Sequence, residues 1–461
     1  MNGINKPSNE DHFSVNGNDL QIFQGTLIHA TNDHPLLILE DHVIGVGQGK
    51  IAFVAPSSEL SNLIDRHGFQ QNEVRQLQKG NFLMPGFVDT HIHAPQYVYA
   101  GTGTDLPLLS WLTRYTIPVE SKFKDLKFAS LAYNDVVETT LKVGTTTACY
   151  YATIHKHASL RLAEIAANLG QRAFVGKVNM DTFSPDYYLE TTQESIRDTE
   201  WFIEQVRELN CPRVNPIITP RFALSCTSPL MTQLGVLADK YDVHIQTHIN
   251  ESLDEIASVK EKFPGYGNYA RVYDAHGLMN NKTVLAHCIH MEDDEVSLIK
   301  ERGAGVAHCP CSNFTIMSGV MNLRERLQQG LKVGLATDVS GGYSSSMLVA
   351  MRQAVIASRV HSISLTDGKE HIPVEYHEAF RLATLGGSEV LGLSDKIGNF
   401  EVGKEFDALI IDPHAANSPF HVYDTLYTDT IEDIVQKFLY LGDDRNIAEV
   451  YVGGERVKPR T

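Results

Sequence analysis

The residues best suited to chemistry recur at the ends of short apolar runs. The first run closes as Thr90-His91-Ile92-His93 and a later one as Thr247-His248-Ile249-Asn250-Glu251. The next closes as Ala286-His287-Cys288, and a fourth as Thr337-Asp338. On an extended strand, residues i and i+2 point to the same side, so His91 and His93 can face one metal ion together. His248 supplies a third nitrogen and Asp338 a carboxylate oxygen. Three histidines and an aspartate suit zinc, which takes nitrogen ligands at about 2.0–2.1 Å and keeps a position open for water in catalytic sites. Fe(II) fits the same ligands nearly as well. A lone His-x-His is a weak signal. The signal here is the ordered set of His-x-His, His-x-x-Glu, His and Asp, each closing a run. His308, in Ala-His-Cys-Pro, stays open between structural support and a role in the site. His155, His157, His244, His276, His290 and His361 read as structural or surface residues. Cys288, Cys309 and Cys311 lie near the motifs with no base to activate them, and read as small buried side chains.

These groups are far apart in sequence, so a scaffold must gather them. Apolar strand runs begin at Met84, Thr145, Arg172, Val214, Val243, Thr283, Ala304 and Val333. Amphipathic stretches of helix length separate them, among them 125–143 and 159–169. Such an alternation predicts an α/β protein with a metal-dependent (β/α)8 TIM-type barrel, whose catalytic groups collect at the C-terminal ends of the strands. The barrel is expected over 84–397. Before it, short apolar segments alternate with turns, and Gly45, Gly47 and Gly49 punctuate a hairpin. After Ile397 the β pattern returns. Segments 19–83 and 398–461 are therefore expected to form one small β-sandwich-like domain, preceded by a polar, poorly ordered tail over 1–18. The Gly-Thr-Gly-Thr-Asp run at Gly101 lacks the strand and helix that a dinucleotide fingerprint needs.

The formal net charge of −17 argues against a nucleic-acid partner, because phosphates attract Lys and Arg. A nucleobase substrate would then be free in solution. Six cysteines in 461 residues are ordinary usage, without the density of a disulfide framework. The polar N-terminus has no apolar signal core, and no apolar run approaches the roughly 18 residues of a membrane span. The expectation is a soluble cytoplasmic protein with no membrane partner.

The run Pro-Gly-Phe-Val-Asp-Thr-His-Ile-His from Pro85 resembles the opening signature of the amidohydrolase superfamily. Further stretches, among them TPRFALSC, GLATDVSGGYSSSML and IGNFEVGKEFDALIIDP, resemble the guanine deaminase family within it, over about 84–453. One departure is Cys311 in HCPCSN, where that family suggests Asn or another small residue. The resemblance implies one zinc per chain held by His91, His93, His248 and Asp338, with guanine and water as substrates and a homodimer as the assembly. It also implies that Gln96, Arg221, Phe222, Glu251 and His287 contact the purine, together with His248 and Asp338.

The chemistry of these side chains agrees with that substrate. Arg221 has only donors, so it suits an oxo group and is mismatched to the amino group of adenine. Gln96 can read a ring edge as donor and acceptor, and Phe222 can pack on a flat base. Arg221 as a salt-bridge residue and Phe222 as core are the alternatives. In catalysis Asp338 would accept the proton of the attacking water, and Glu251 would carry a proton to a ring nitrogen and then towards the leaving amine. His287 would orient the substrate or stabilise negative charge. A two-metal cyclic-amide hydrolase would need a Lys at the end of the fourth strand, where Thr-Pro-Arg-Phe stands. A cytidine-deaminase-type fold would need a His-x-Glu and Pro-Cys-x-x-Cys signature, which is absent.

Overall fold

The computed structural model describes residues 20–365 and 372–457. The expected polar tail over 1–18 lies outside them. Eight parallel strands form the barrel: β1 Phe87–His93, β2 Thr145–Tyr151, β3 Arg172–Gly176, β4 Val214–Pro220, β5 His244–Ile249, β6 Thr283–His287, β7 Gly305–His308 and β8 Lys332–Leu335. Each pairs with the next in sequence order. At the C-terminal end the barrel closes through backbone bonds, with Asp338 N donating to His91 O at 2.9 Å and His93 N to Val339 O at 3.1 Å. Strands β1, β2 and β3 are buried along their whole length, as expected when helices cover the outside of a parallel sheet.

Alternate residues divide between two cores. Val88, Cys149, Phe174, Ile217, Val284, Ala286, Ala307 and Ala336 fill the barrel interior, joined by Val390, Leu391, Leu393 and Ile397. Phe87, Ile92, Tyr150, Val175, Ile218, Ile245, Leu285 and Val306 pack in the main cluster with the surrounding helices. The 17-residue helix Leu126–Lys142 shows how those helices form. Asp125 caps it by accepting from the backbone of Lys127 and Phe128, and it buries Ala129, Ala132, Tyr133, Val136, Val137 and Leu141. Its apolar stripe at helical spacing is what the sequence displays.

Segments from both chain ends join in one mixed sheet. Its order is Glu455–Val457, Ile447–Val452, Ala408–Ile411, Phe82–Pro85, Leu20–His29, Leu37–Gly47 and Lys50–Pro56, with Val74–Gln76 also pairing to Leu20–His29. The hairpin turn at Gln48-Gly49 has φ of 52° and 79°, the mirror-image turn that matches strand twist. Met84 and Pro85, read from sequence as the start of the first barrel strand, instead pair with Leu409 and Ala408 in this sheet. Gly86 is the crossing point. A Cβ there would lie 2.1 Å from Thr146 Oγ1, so only glycine lets the chain pass this close to β2.

The sheet is tied to the barrel by ions as well as by packing. Arg172, at the start of β3, donates to both oxygens of Asp407 at 3.0 Å and to Glu405 at 2.7 Å. Arg172 and Asp407 are each 4% exposed. Arg172→Ala would strand a buried carboxylate, so a loss of about 3–5 kcal/mol is expected. Urea unfolding of wild type and variant measures it, and a change below about 1 kcal/mol would mean that the pair contributes no more than a surface one.

Candidate metal centre and purine pocket

Four side chains converge where β1, β5 and the segment after β8 meet. His93 Nε2 lies 3.1 Å from His248 Nε2. His91 Nε2 lies 3.2 Å, and His93 Nε2 3.5 Å, from Asp338 Oδ1. One ligand atom from each of the four falls within 4.8 Å of the others. Atoms bound to one ion at about 2.0–2.2 Å sit roughly 3–4 Å apart, so the spacing fits a metal. So does the bonding: Nδ1 of His91 and Nδ1 of His93 are buried without a hydrogen-bond partner, a costly state unless something else takes the lone pair. Burial also holds His93 and His248 well below the ordinary histidine pKa, and so neutral, with their histidine neighbours adding to the effect. His248 Nδ1 lies 2.6 Å from the Arg221 carbonyl. It donates there, which fixes the ring and turns Nε2 towards the cluster.

Local backbone geometry makes the convergence work. In β1 the register shifts between Asp89 and Ile92, so Val88 and His91 both face inward although alternation would separate them. Asp89 fills the bulge by accepting from the backbone of His91 at 3.2 Å and of Thr337 at 3.1 Å. In β6, Leu285 faces the helices, and strict alternation would send His287 the same way. The left-handed backbone at His287, φ 74°, turns the imidazole into the pocket instead. Asp338 is also left-handed, at φ 47°. Such conformations cost a non-glycine residue energy and concentrate at functional sites.

One cavity is lined by His93, Gln96, Arg221, Phe222, His248, Glu251, His287 and Asp338. Every sequence-predicted site residue except His91 lines it, and His91 sits behind as part of the metal set. His287 Nε2 is 3.4 Å from Glu251 Oε2 and 3.6 Å from Asp338 Oδ2. Its Nδ1 is 3.0 Å from Asn313 Oδ1. Burial disfavours the charged imidazole, but Glu251 and Asp338 more than offset this and hold the His287 pKa above the ordinary value. Burial likewise raises the Glu251 carboxyl, against the pull of His287. Phe222 is 6% exposed and meets Phe183 edge-on at 6.0 Å.

Sequence reasoning missed the other wall. Between β1 and the helix Leu126–Lys142 the chain makes short helical turns, one of them a wide π-type turn over Leu112–Thr116, a form that gathers at functional sites. They bring Leu108, Trp111 and Leu112 to the pocket, while Ile316 and Gly341 complete it. They also bring Glu120, fully buried, to Arg221. Arg221 donates to Glu120 Oε2 at 2.7 Å and Oε1 at 3.1 Å, so the salt-bridge alternative for Arg221 and its place on the pocket hold together. A buried arginine side chain calls for a carboxylate, but nothing in the sequence says which. His308, left open above, is buried with no partner on either ring nitrogen and does not line the cavity. His155, His276 and His290 each bond a backbone carbonyl. All six cysteines are free. Cys309 comes close to His287 and Asp338, but burial keeps its thiol protonated and it donates to Ala307 O at 3.3 Å.

The profile of the amidohydrolase family matches residues 82–457. The chain is 52% identical to the guanine deaminase of Homo sapiens over 443 residues, 95% of this chain and 96% of that protein. It is 34% identical to the guanine deaminase of Escherichia coli, over 96% and 98%. In structure it matches a guanine deaminase from C. acetobutylicum solved with guanine in the active site. That match has a TM-score of 0.86 at 37% identity and covers 95% of this chain and all of that one. A barrel with a His-His-His-Asp cluster at its C-terminal mouth, and kinship of this depth along nearly the whole chain, place it in the amidohydrolase family, among the guanine deaminases.

Proposed function

We propose that this chain hydrolyses guanine to xanthine and ammonia, with one zinc ion held by His91, His93, His248 and Asp338. The observation that carries the substrate is Arg221, a donor-only side chain lining the same cavity as the His-Asp cluster. A base whose oxo group meets Arg221 can turn another edge towards Glu251, His287 and Asp338. Adenine would bring an amino group to the same donors and leave them unpaired, at about 1–3 kcal/mol.

Zinc, when bound, supplies the Lewis acidity that brings the pKa of water towards about 7. The chain's own residues do the rest. Phe222 and Trp111 give the flat base apolar surface, and Gln96 reads its edge. Asp338 takes a proton from the attacking water through a carboxylate oxygen. Glu251, raised in pKa by burial, gives its carboxyl proton to a ring nitrogen as C2 becomes tetrahedral. It then takes the C2 hydroxyl proton as the carbonyl forms and passes it to the departing amine, and is reset by the proton that Asp338 took from water. His287 faces both carboxylates and balances their charge. A panel of guanine, adenine, cytosine and their nucleosides, assayed for ammonia, tests this reading. Guanine is expected to lead, and adenine or cytosine leading would overturn it. Phe222→Ala is expected to raise KM for guanine about 3–10-fold with little change in kcat, from lost stacking. An unchanged KM would leave Phe222 as core alone.

The assembly proposed is a homodimer in the cytoplasm. Ile356, Val360 and Ile363 are exposed at 47%, 43% and 80%. They lie at i, i+4 and i+7 on the helix Met347–Ser364, an apolar stripe that a second copy would cover. No helix of the described residues is long and apolar enough to cross a membrane. Sedimentation equilibrium is expected to return twice the chain mass, and a monomer would contradict the dimer.

A further inference from the structure

We propose that Glu120 is the positioning residue that sets the pocket's preference for a purine bearing an oxo group. This rests on the reading of Arg221 as the contact to that group. Glu120 is fully buried, and all its acceptor capacity is taken inside the protein. Oε1 accepts from Gln96 Nε2 at 3.1 Å and from Arg221 Nη2 at 3.1 Å. Oε2 accepts from Arg221 Nη1 at 2.7 Å and from the Tyr188 hydroxyl at 2.8 Å. A carboxylate has about four such sites, so Glu120 has none left for substrate and acts through its neighbours.

Its effect on each neighbour is specific. Two guanidinium donors are fixed in a planar fork, which leaves the remaining N–H groups of Arg221 with one set of directions. One Nε2 hydrogen of Gln96 is taken by Glu120, while Gln96 Oε1 accepts from Ser340 N at 3.2 Å. The amide of Gln96 therefore cannot flip without losing both bonds. The two side chains that read the base are thus aimed by one carboxylate, which Tyr188 anchors from behind. A carboxylate serving only to neutralise Arg221 would not need the Gln96 and Tyr188 bonds.

Equilibrium binding of hypoxanthine and of purine to the metal-loaded protein isolates this role. Both lack the C2 amine, and only hypoxanthine carries the oxo group. Wild type is expected to prefer hypoxanthine by at least about tenfold, the range of a hydrogen bond to a charged donor. In Glu120→Gln the preference is expected to fall within about threefold of unity, with metal content unchanged. Arg221→Met should abolish the preference as well. If Glu120→Gln keeps the wild-type preference while Arg221→Met loses it, the proposal fails and the reading of Arg221 stands. If Arg221→Met keeps the preference, the reading of Arg221 itself fails. Should Glu120→Gln not fold, Glu120→Asp carries the same measurement. It keeps the charge but draws the fork back, so a threefold or larger loss of preference is expected, and a wild-type preference overturns the proposal.

Discussion

Glu251→Gln is expected to lower kcat for guanine by about 10²–10⁴-fold, the range for a positioned general acid–base group, while leaving the metal bound. The glutamine keeps the shape and the bond from Ser318, whose hydroxyl lies 3.2 Å from Glu251 Oε1. It cannot carry a proton. Because Glu251 faces His287 rather than the histidine cluster, its loss should not change metal content. Elemental analysis and steady-state kinetics on the same sample separate the two effects. Turnover near that of wild type would remove Glu251 from proton transfer. Loss of metal along with turnover would instead make it part of the metal site.

Asp338→Asn is expected to have the larger effect, at least about 10³-fold in kcat, because the proposed mechanism gives one carboxylate both roles, metal ligand and proton acceptor. The two roles can be told apart. Excess zinc should refill the site, since three histidines remain, but should not restore turnover. The corresponding change at His91 removes only a ligand, so in His91→Ala added zinc should recover part of the activity. If excess zinc restored full turnover to Asp338→Asn, the carboxylate would be a ligand and nothing more.

These residues were legible in the sequence because a barrel places chemistry at the ends of its strands. His91, His93, His248, His287 and Asp338 each close an apolar run, and the runs occur in the order of the eight strands. What stayed illegible has particular causes. The bulge at Asp89 and the left-handed turn at His287 break the alternation that links sequence position to side-chain direction. Without them Val88 and His91 could not both face inward, and His287 would face the helices. Glu120 lies 101 residues from Arg221, in a segment of short mixed turns with no periodic pattern. Its function comes from a partner that only the closed barrel brings near. The break at Gly86 was hidden for a similar reason. Residues 84–93 read as one strand, yet Met84 and Pro85 close the strand Phe82–Pro85 of the mixed sheet while Phe87–His93 belongs to the barrel, and a single glycine passing Thr146 divides them. Arg221 shows why alternatives need not exclude each other, since the side chain is at once a buried salt-bridge partner and a wall of the pocket.

Zinc-loaded protein given guanine is followed for xanthine and ammonia together. The expected result is one xanthine for each ammonia, at a rate that a chelator abolishes and added zinc restores. Guanine left intact by the metal-loaded protein would contradict it.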